Sequence, residues 1–242
     1  MMIFIVAFAV LLVYYVIFLA LTPALLRKLS LKKEWVRKIQ HLGYAFSVLL
    51  YVHLFAQWYD AVMAAALFGI LAFAGLLVLE RLPMFEAMFV ARGKKREYRY
   101  SLLLAHFTLI LLFTLFWGVL PHGDPLIVII SILGWGIGDA GAAVIGKRFG
   151  RTHLHGPGID EHKTFAGSAA LYLGVAVTLI VIIIGFGVLP WRIALPAALV
   201  IAGIAMAMEA YSKQGLDTLT MPLSIAASLY AVVILTMQMG WM

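Results

Sequence analysis

The chain has no cysteine, which excludes disulfides, thiolate metal sites and cysteine nucleophiles together. Charge is scarce as well: 12% of its residues are Asp, Glu, Lys or Arg, against about 25% in a soluble domain. Acids are the rarest, 11 in 242 residues, so the place of each carboxylate is informative. Apolar residues fill the gap at 64% of the total, which defines an integral membrane protein. The net charge of +7 raises nucleic acid as a partner, but the cations sit in loops between apolar spans. That pattern fits anionic headgroups and cytoplasmic loops, and no nucleic-acid partner is expected. Met1 to Leu26 lacks a charged leading region and is too long for a cleaved signal core.

A bilayer core takes about 20 apolar residues per helix. Reading between charges predicts an all-α, polytopic fold of eight spans, forming one catalytic domain over residues 1–242. The spans are Ile3–Leu26, His41–Tyr59, Ala61–Leu79, Ser101–Leu120, Leu126–Gly146, Phe165–Leu189, Ile193–Met208 and Leu219–Met242. The seventh is short and contains Pro196, so a kink or an interfacial start is expected. Of the 18 basic residues, 17 fall in the odd-numbered loops and only Arg192 on the other side. Positive charge stays inside, which places both termini outside and the basic loops in the cytoplasm. In the third loop, Leu82–Val90 is apolar, too short to span, and followed by cations. It reads as a helix lying in the interface.

Asp139 is the only carboxylate inside a long apolar stretch. A charge at that depth costs about 2.5–3.5 kcal/mol on insertion scales and normally lines a wet, functional cavity. Around it stand Gly134, Gly136, Gly138, Gly141 and Gly146 with Ala140, Ala142 and Ala143. Small residues spaced this way draw helices together in lipid, and such glycine density also lets the helix entrance unwind. The segment Gly141 to Lys147-Arg148 differs from a P-loop at Arg148, where a Mg²⁺-binding hydroxyl is needed, and it closes an apolar span rather than opening a helix. A P-loop is therefore excluded. Lys147, Arg148 and Arg151 stand where they would meet phosphate oxygens or, equally, anchor the helix end.

The other polar groups also gather near the cytoplasmic ends of helices. A transporter keeps them near the midplane on broken helices, so chemistry on a lipid headgroup fits better than passage across. Residues 150–164 hold His153, His155 and His162 with Asp160 and Glu161, then enter a helix at Lys163-Thr164. The helix start and the Lys163 charge suit an anion, and Thr164 also reads as an N-cap. The histidines lack helical i, i+4 spacing, so zinc is not expected. Glu209 and Asp217 flank a glycine turn, with Thr220 read as a cap and Pro222 in the first turn beyond it. With Asp139 they form a hard oxygen set suited to Mg²⁺ (or Mn²⁺), or they are solvated loop acids. Arg37 and His41 share one helix face at headgroup level, where His41 is a candidate base or an interfacial histidine.

Read in order, these segments resemble one family. Arg37-Lys38 with His41 comes first, then Gly138-Asp139 with Ala142, Gly146, Phe149 and Gly150. Lys163-Thr164 with Gly167-Ser168 follows, then Glu209, then Asp217 with Leu219, Thr220 and Pro222. The series is similar to the CTP-dependent lipid kinases, the dolichol kinase, phytol kinase and yeast-type diacylglycerol kinase group. It departs from that pattern at Thr218, where Asn is expected, and at the acidic pair Asp160-Glu161 before Lys163. The middle segment also resembles CDP-diacylglycerol synthases, but lacks their second lysine, their glutamate and their C-terminal lysine-aspartate-glycine segment.

The resemblance implies transfer of the γ-phosphoryl of CTP to a lipid alcohol, polyprenol, phytol-like or diacylglycerol, in a prokaryotic cell membrane. The expected catalytic residues are Asp139, Lys163 and His41. Lys147, Arg148, Arg151, Lys163, Thr164, Gly167, Ser168 and Arg37 would bind nucleotide phosphates, and Asp139, Glu209 and Asp217 the metal. A phosphatidate cytidylyltransferase is the alternative, and a transporter the third reading.

Overall fold

The computed structural model describes residues 2–22, 28, 33–81, 95–161, 163–213 and 215–241, with backbone alone at 19, 20, 33, 34, 36 and 95–98. The interfacial helix expected at Leu82–Val90 lies outside these residues, as do His162, Arg27, Lys32, Arg92 and Lys94. Among the described residues the chain is all-helical, with a single isolated bridge between His153 and Thr164.

The helices are α1 (Met2–Val16, running on as a π turn over Ile17–Leu21), α2 (Lys33–Leu54), α3 (Trp58–Leu79), α4 (Lys95–Leu112, continuing as π over Phe113–Val119), α5 (Pro125–Phe149), α6 (Phe165–Gly185), α7 (Trp191–Tyr211) and α8 (Asp217–Gln238). Six of them, α3 to α8, are long and apolar enough to cross a membrane. The reason is visible on α6. It buries Leu171, Val175, Leu179 and Ile183, yet its exposed face is Leu173, Val177, Val181 and Ile184. A helix apolar all round finds its match in lipid rather than water.

Two expected boundaries move. The second helix runs from Lys33 to Leu54 where the apolar span was expected over His41–Tyr59, so it starts before the span, with Arg37 and His41 on one helix as expected, and stops short of Tyr59. The seventh is 21 residues long rather than a short, barely spanning piece. Charges mark where a chain meets the headgroups, and helices run on past that point. Pro196 sits in the second turn of α7, where it withdraws only one N–H from the ladder.

The chain divides into two compact units, Met1–Thr114 and Leu115–Met242. In the first, α1 packs on α2 and α3, and α3 on α4. Its interior is aromatic and hydroxylated. Tyr15 stacks on Phe68 with ring centroids 3.9 Å apart, and its hydroxyl lies 2.7 Å from Ser47 Oγ. Tyr14 donates to the Gly43 carbonyl at 2.6 Å. Buried Glu80, just past α3, is held by Arg99 of α4, whose Nε donates to both carboxylate oxygens at 3.1 and 3.0 Å.

In the second unit α5 packs against α6 and α8, and α7 against both of these, closing a four-helix arrangement. Asp124 caps α5, accepting from the Leu126 N–H at 2.7 Å with Pro125 next to it in the first turn. The buried stretch Ile127–Gly136 makes α5 the core helix of this unit. The α5–α6 seam runs antiparallel along small residues. A Cβ on Gly138 would meet Val175 Cγ2 at 2.7 Å, and one on Gly174 would stand 3.3 Å from Gly138 Cα. Further along, a Cβ on Gly146 would reach Gly167 Cα at 3.2 Å. These glycines serve close backbone approach, and α5 does not unwind: it stays helical to Phe149. Asp139 therefore lies ten residues, or about 15 Å, from the helix end. That is deeper than the two turns expected from a helix ending at Gly146.

Candidate active site at one end of the four-helix unit

The antiparallel order brings the C-terminal ends of α5 and α7 and the N-terminal ends of α6 and α8 to one end of the unit, and short-range bonds hold them there. The Gly150 N–H returns to the Gly146 carbonyl at 2.9 Å to close α5. The loop to α6 then folds back on itself: Leu154 N–H donates to Lys163 O at 2.9 Å, and Phe165 N–H to Thr152 O at 3.0 Å. Gly156-Pro157-Gly158-Ile159 makes a tight turn, with Ile159 N–H on Gly156 O at 3.2 Å and Gly158 at φ +83°. Proline at the second position and a positive-φ glycine at the third are what a type II turn requires. Asp160 N–H docks this turn on the Ala210 carbonyl of α7 at 3.2 Å, and Gly158 lies against the Tyr211 ring. A polar fifteen-residue connector is thereby pinned at both sides, and Lys163 emerges from it in a set position.

Lys163 Nζ donates to Glu209 Oε1 in the last turn of α7. The pair is largely buried, with 20% of the lysine side chain and 4% of the glutamate exposed. Burial works against the Lys163 ammonium, but Glu209, by charge and hydrogen bond, outweighs it. Asp217 and then Asp139 add to the pull, and the pKa of Lys163 ends above the ordinary lysine value. Three carboxylates separated by up to 78 positions in sequence thus bear on one cation. The structure brings Asp139, Lys163, Glu209 and Asp217 to one electrostatic neighbourhood.

In this unit Glu209 Oε2, on the pair itself, and Ser168 Oγ, in the first turn of α6, are buried without a partner. Each such atom costs about 1–3 kcal/mol while unsatisfied. An orphaned carboxylate oxygen with two further acids in range fits a hard divalent cation, which needs one or two carboxylates plus phosphate oxygens. Among the described residues, no group of three or more His, Asp or Glu closes into a ready-made cage. The donors fit Mg²⁺ shared with a phosphorylated ligand better than a metal held by protein alone.

The helix-end amides of α6 are mostly spoken for. Thr164 is its N-cap, accepting from Gly167 N–H at 3.2 Å, while Ser168 N–H goes to Thr164 O and Phe165 N–H to Thr152 O. An anion here would find few free amides, which leaves the Lys163 ammonium as the charge that could meet it. Gly167 lies backbone to backbone against Gly146. Lys147, Arg148 and Arg151 are exposed at and beyond the end of α5, and the Arg148 guanidinium lies over the Phe149 ring at 5.3 Å from its centroid.

Thr220 is not the cap of α8. The helix begins at Asp217 after a turn in which Gly215 has φ +83°, and Asp217 Oδ1 accepts from Thr218 N–H at 3.0 Å. Thr220 sits within the first turn, bonded back to Leu216 O at 3.1 Å, with its hydroxyl 2.6 Å from Ser212 Oγ. Sequence reasoning missed Ser212, a buried residue that ties the end of α7 to the start of α8 beside Glu209. Its only sequence signal was a hydroxyl three places after a buried acid. Arg37 and His41 belong to α2 of the first unit, the arginine exposed and the histidine half-buried.

Long apolar helices, with a buried lysine–glutamate pair near one end of a bundle and two further acids in its electrostatic reach, define a polytopic membrane protein with a candidate catalytic centre. No family model matches the chain, and no solved structure does. A phytol kinase of Synechocystis sp. is 31% identical over 219 residues, covering 87% of this chain and 85% of that protein. The chain belongs to this family of lipid kinases.

Proposed function

We propose that the protein transfers the γ-phosphoryl of CTP to an isoprenoid alcohol of the phytol type, at the cytoplasmic face of a prokaryotic membrane. The kinship with a phytol kinase supports the lipid acceptor, and the acidic cluster around Lys163 carries the reading. Polyprenol and diacylglycerol present the same hydroxyl and are the neighbouring substrates. The cationic loops support eight spans with both termini outside, within one catalytic domain.

Phosphoryl transfer is mainly positioning and charge neutralisation. Asp139, Glu209 and Asp217 would hold Mg²⁺ (or Mn²⁺), which supplies positive charge to the triphosphate oxygens. Lys163, released in part from Glu209 when phosphate arrives, neutralises the transferring group, with Ser168 as a hydroxyl donor and Thr164 and Gly167 shaping the floor. Lys147, Arg148 and Arg151 supply the outer cationic field. The lipid oxygen attacks the γ-phosphorus, the bond to the β-phosphate oxygen breaks, CDP leaves, and Asp139 takes the hydroxyl proton.

Incubation of purified protein with γ-labelled CTP, Mg²⁺ and a panel of lipid alcohols tests this. Label in the lipid phase is expected, strongest with phytol. No labelled lipid, with pyrophosphate released from CTP and phosphatidate, would establish a cytidylyltransferase instead. With neither product, the enzyme reading fails and a transporter comes forward.

A further inference from the structure

Among the described residues, the core of the first unit buries several polar side-chain atoms that it does not satisfy. Tyr44 Oη on α2 and His106 Nε2 on α4 have no hydrogen-bond partner. Their rings meet edge to face, with centroids 5.5 Å apart and planes at 64°. His106 is 5% exposed. Its Nδ1 lies 2.8 Å from the Leu102 carbonyl, which can only accept, so the proton sits on Nδ1 and Nε2 is a bare lone pair. Neighbouring polar groups in this core are matched: Tyr14 finds Gly43 O, Tyr15 finds Ser47, and Ser47 also donates to Tyr44 O at 2.6 Å. Tyr51 Oη is buried without a partner as well, but its ring packs on Phe55 and Phe113, whereas Tyr44 and His106 bring two unsatisfied groups into one ring contact.

The walls are apolar and fixed. Phe68 lies 5.4 Å from the imidazole centroid. His106 rests on the backbone of α3, where a Cβ on Gly69 would touch its ring at 3.2 Å. Tyr44 is itself three residues after His41, on the same side of α2. A ligand that satisfies the pair must donate to Nε2 and accept from a phenol while leaving the aromatic walls dry. A carboxylate only accepts and an ammonium only donates. A hydroxyl does both, and an apolar tail behind it suits the setting.

We propose that Tyr44 and His106 form a binding site for the hydroxyl of a membrane-soluble alcohol, within the first unit. The alcohol hydroxyl donates to His106 Nε2 and accepts from Tyr44 Oη. This rests on the lipid-kinase reading for the role of the bound alcohol, but the binding itself does not.

The test uses the full-length protein in nanodiscs without nucleotide, and the probes are labelled phytol and phytyl methyl ether. Wild type should bind phytol about tenfold more tightly than the ether, which cannot donate. Tyr44→Phe and His106→Phe, which place a phenyl ring at each position, should each weaken phytol binding about tenfold; His106→Phe should leave ether binding unchanged, whereas Tyr44→Phe should weaken it too, because the ether oxygen still accepts from the phenol. In turnover, the same variants should raise KM for phytol and not for CTP. Equal binding of phytol and ether, or variants that bind phytol as wild type does, would show that the pair holds only water and would overturn the proposal. If wild type binds phytol in this pattern yet phosphorylates no alcohol, the kinase reading fails and the site stands. If it phosphorylates phytol with unchanged KM in both variants, the reverse holds.

Discussion

The two units solve the problem of burying polar groups in an apolar chain by different means. The second gathers ions: one lysine answers three carboxylates at the end of a glycine-lined seam. The first buries neutral hydroxyls and an imidazole among stacked rings, and keeps its main ion pair, Glu80 with Arg99, at helix ends. Ionic clusters pull in charged partners such as phosphates and metals. Hydroxyl and imidazole groups in an aromatic shell take neutral ligands that carry a single polar end.

The sharpest way to break this contrast is Asp139→Asn. Turnover should fall about a thousandfold or more with no loss of folded protein, because a charge is removed and shape is kept. Retained labelling of lipid would remove Asp139 from the metal set. Lys163→Met comes next: it strands Glu209 in a buried setting and should cost about 3–5 kcal/mol in stability along with activity. Lys163→Met with Glu209→Met should recover most of that stability and none of the activity, as read by thermal unfolding in detergent. Should the double variant recover activity as well, the ion pair is structural only.

Gly138→Val probes the seam. The added side chain meets Val175 and Leu171 and should destabilise by about 1–3 kcal/mol, with a matched loss at Gly174→Val. Thr164→Ala removes a cap and should cost about 1 kcal/mol, whereas Thr164→Ser should behave as wild type. The smallest effect concerns pH. A lysine whose pKa is raised on folding contributes stability that is complete below its unfolded value and lost only as pH rises through the higher folded value. The difference in Tm between wild type and the Lys163→Met/Glu209→Met double variant, which leaves no stranded carboxyl to titrate, should therefore stay flat from about pH 7 to 10. A decline within that window would mean that burial, not Glu209, governs Lys163.

Much of this was legible from residue order. The absence of charge over long stretches predicted helices that cross lipid, and one acid inside them singled out Asp139. Glu209 and Asp217 stood out because acids are so few, and Lys163 because it stands at the entry to a helix. Helix ends were less legible, since α2 carries Arg37 and Lys38 within it and α7 runs past Arg192 and Glu209. His106 escaped notice altogether: a histidine in an apolar run carries no formal charge to break the pattern.

What the sequence by itself determined is the class, the number of polar anchors and the family motifs, because composition and the lipid solvent leave few alternatives to helices. Only the tertiary structure decided that Lys163 pairs with Glu209 rather than with its neighbours Asp160 and Glu161, and that Thr164 spends its oxygen on a cap. It also decided that Tyr44 and His106 face each other without partners. Such choices depend on which helix ends meet, and a linear order of residues does not state the angle or register at which two helices pack.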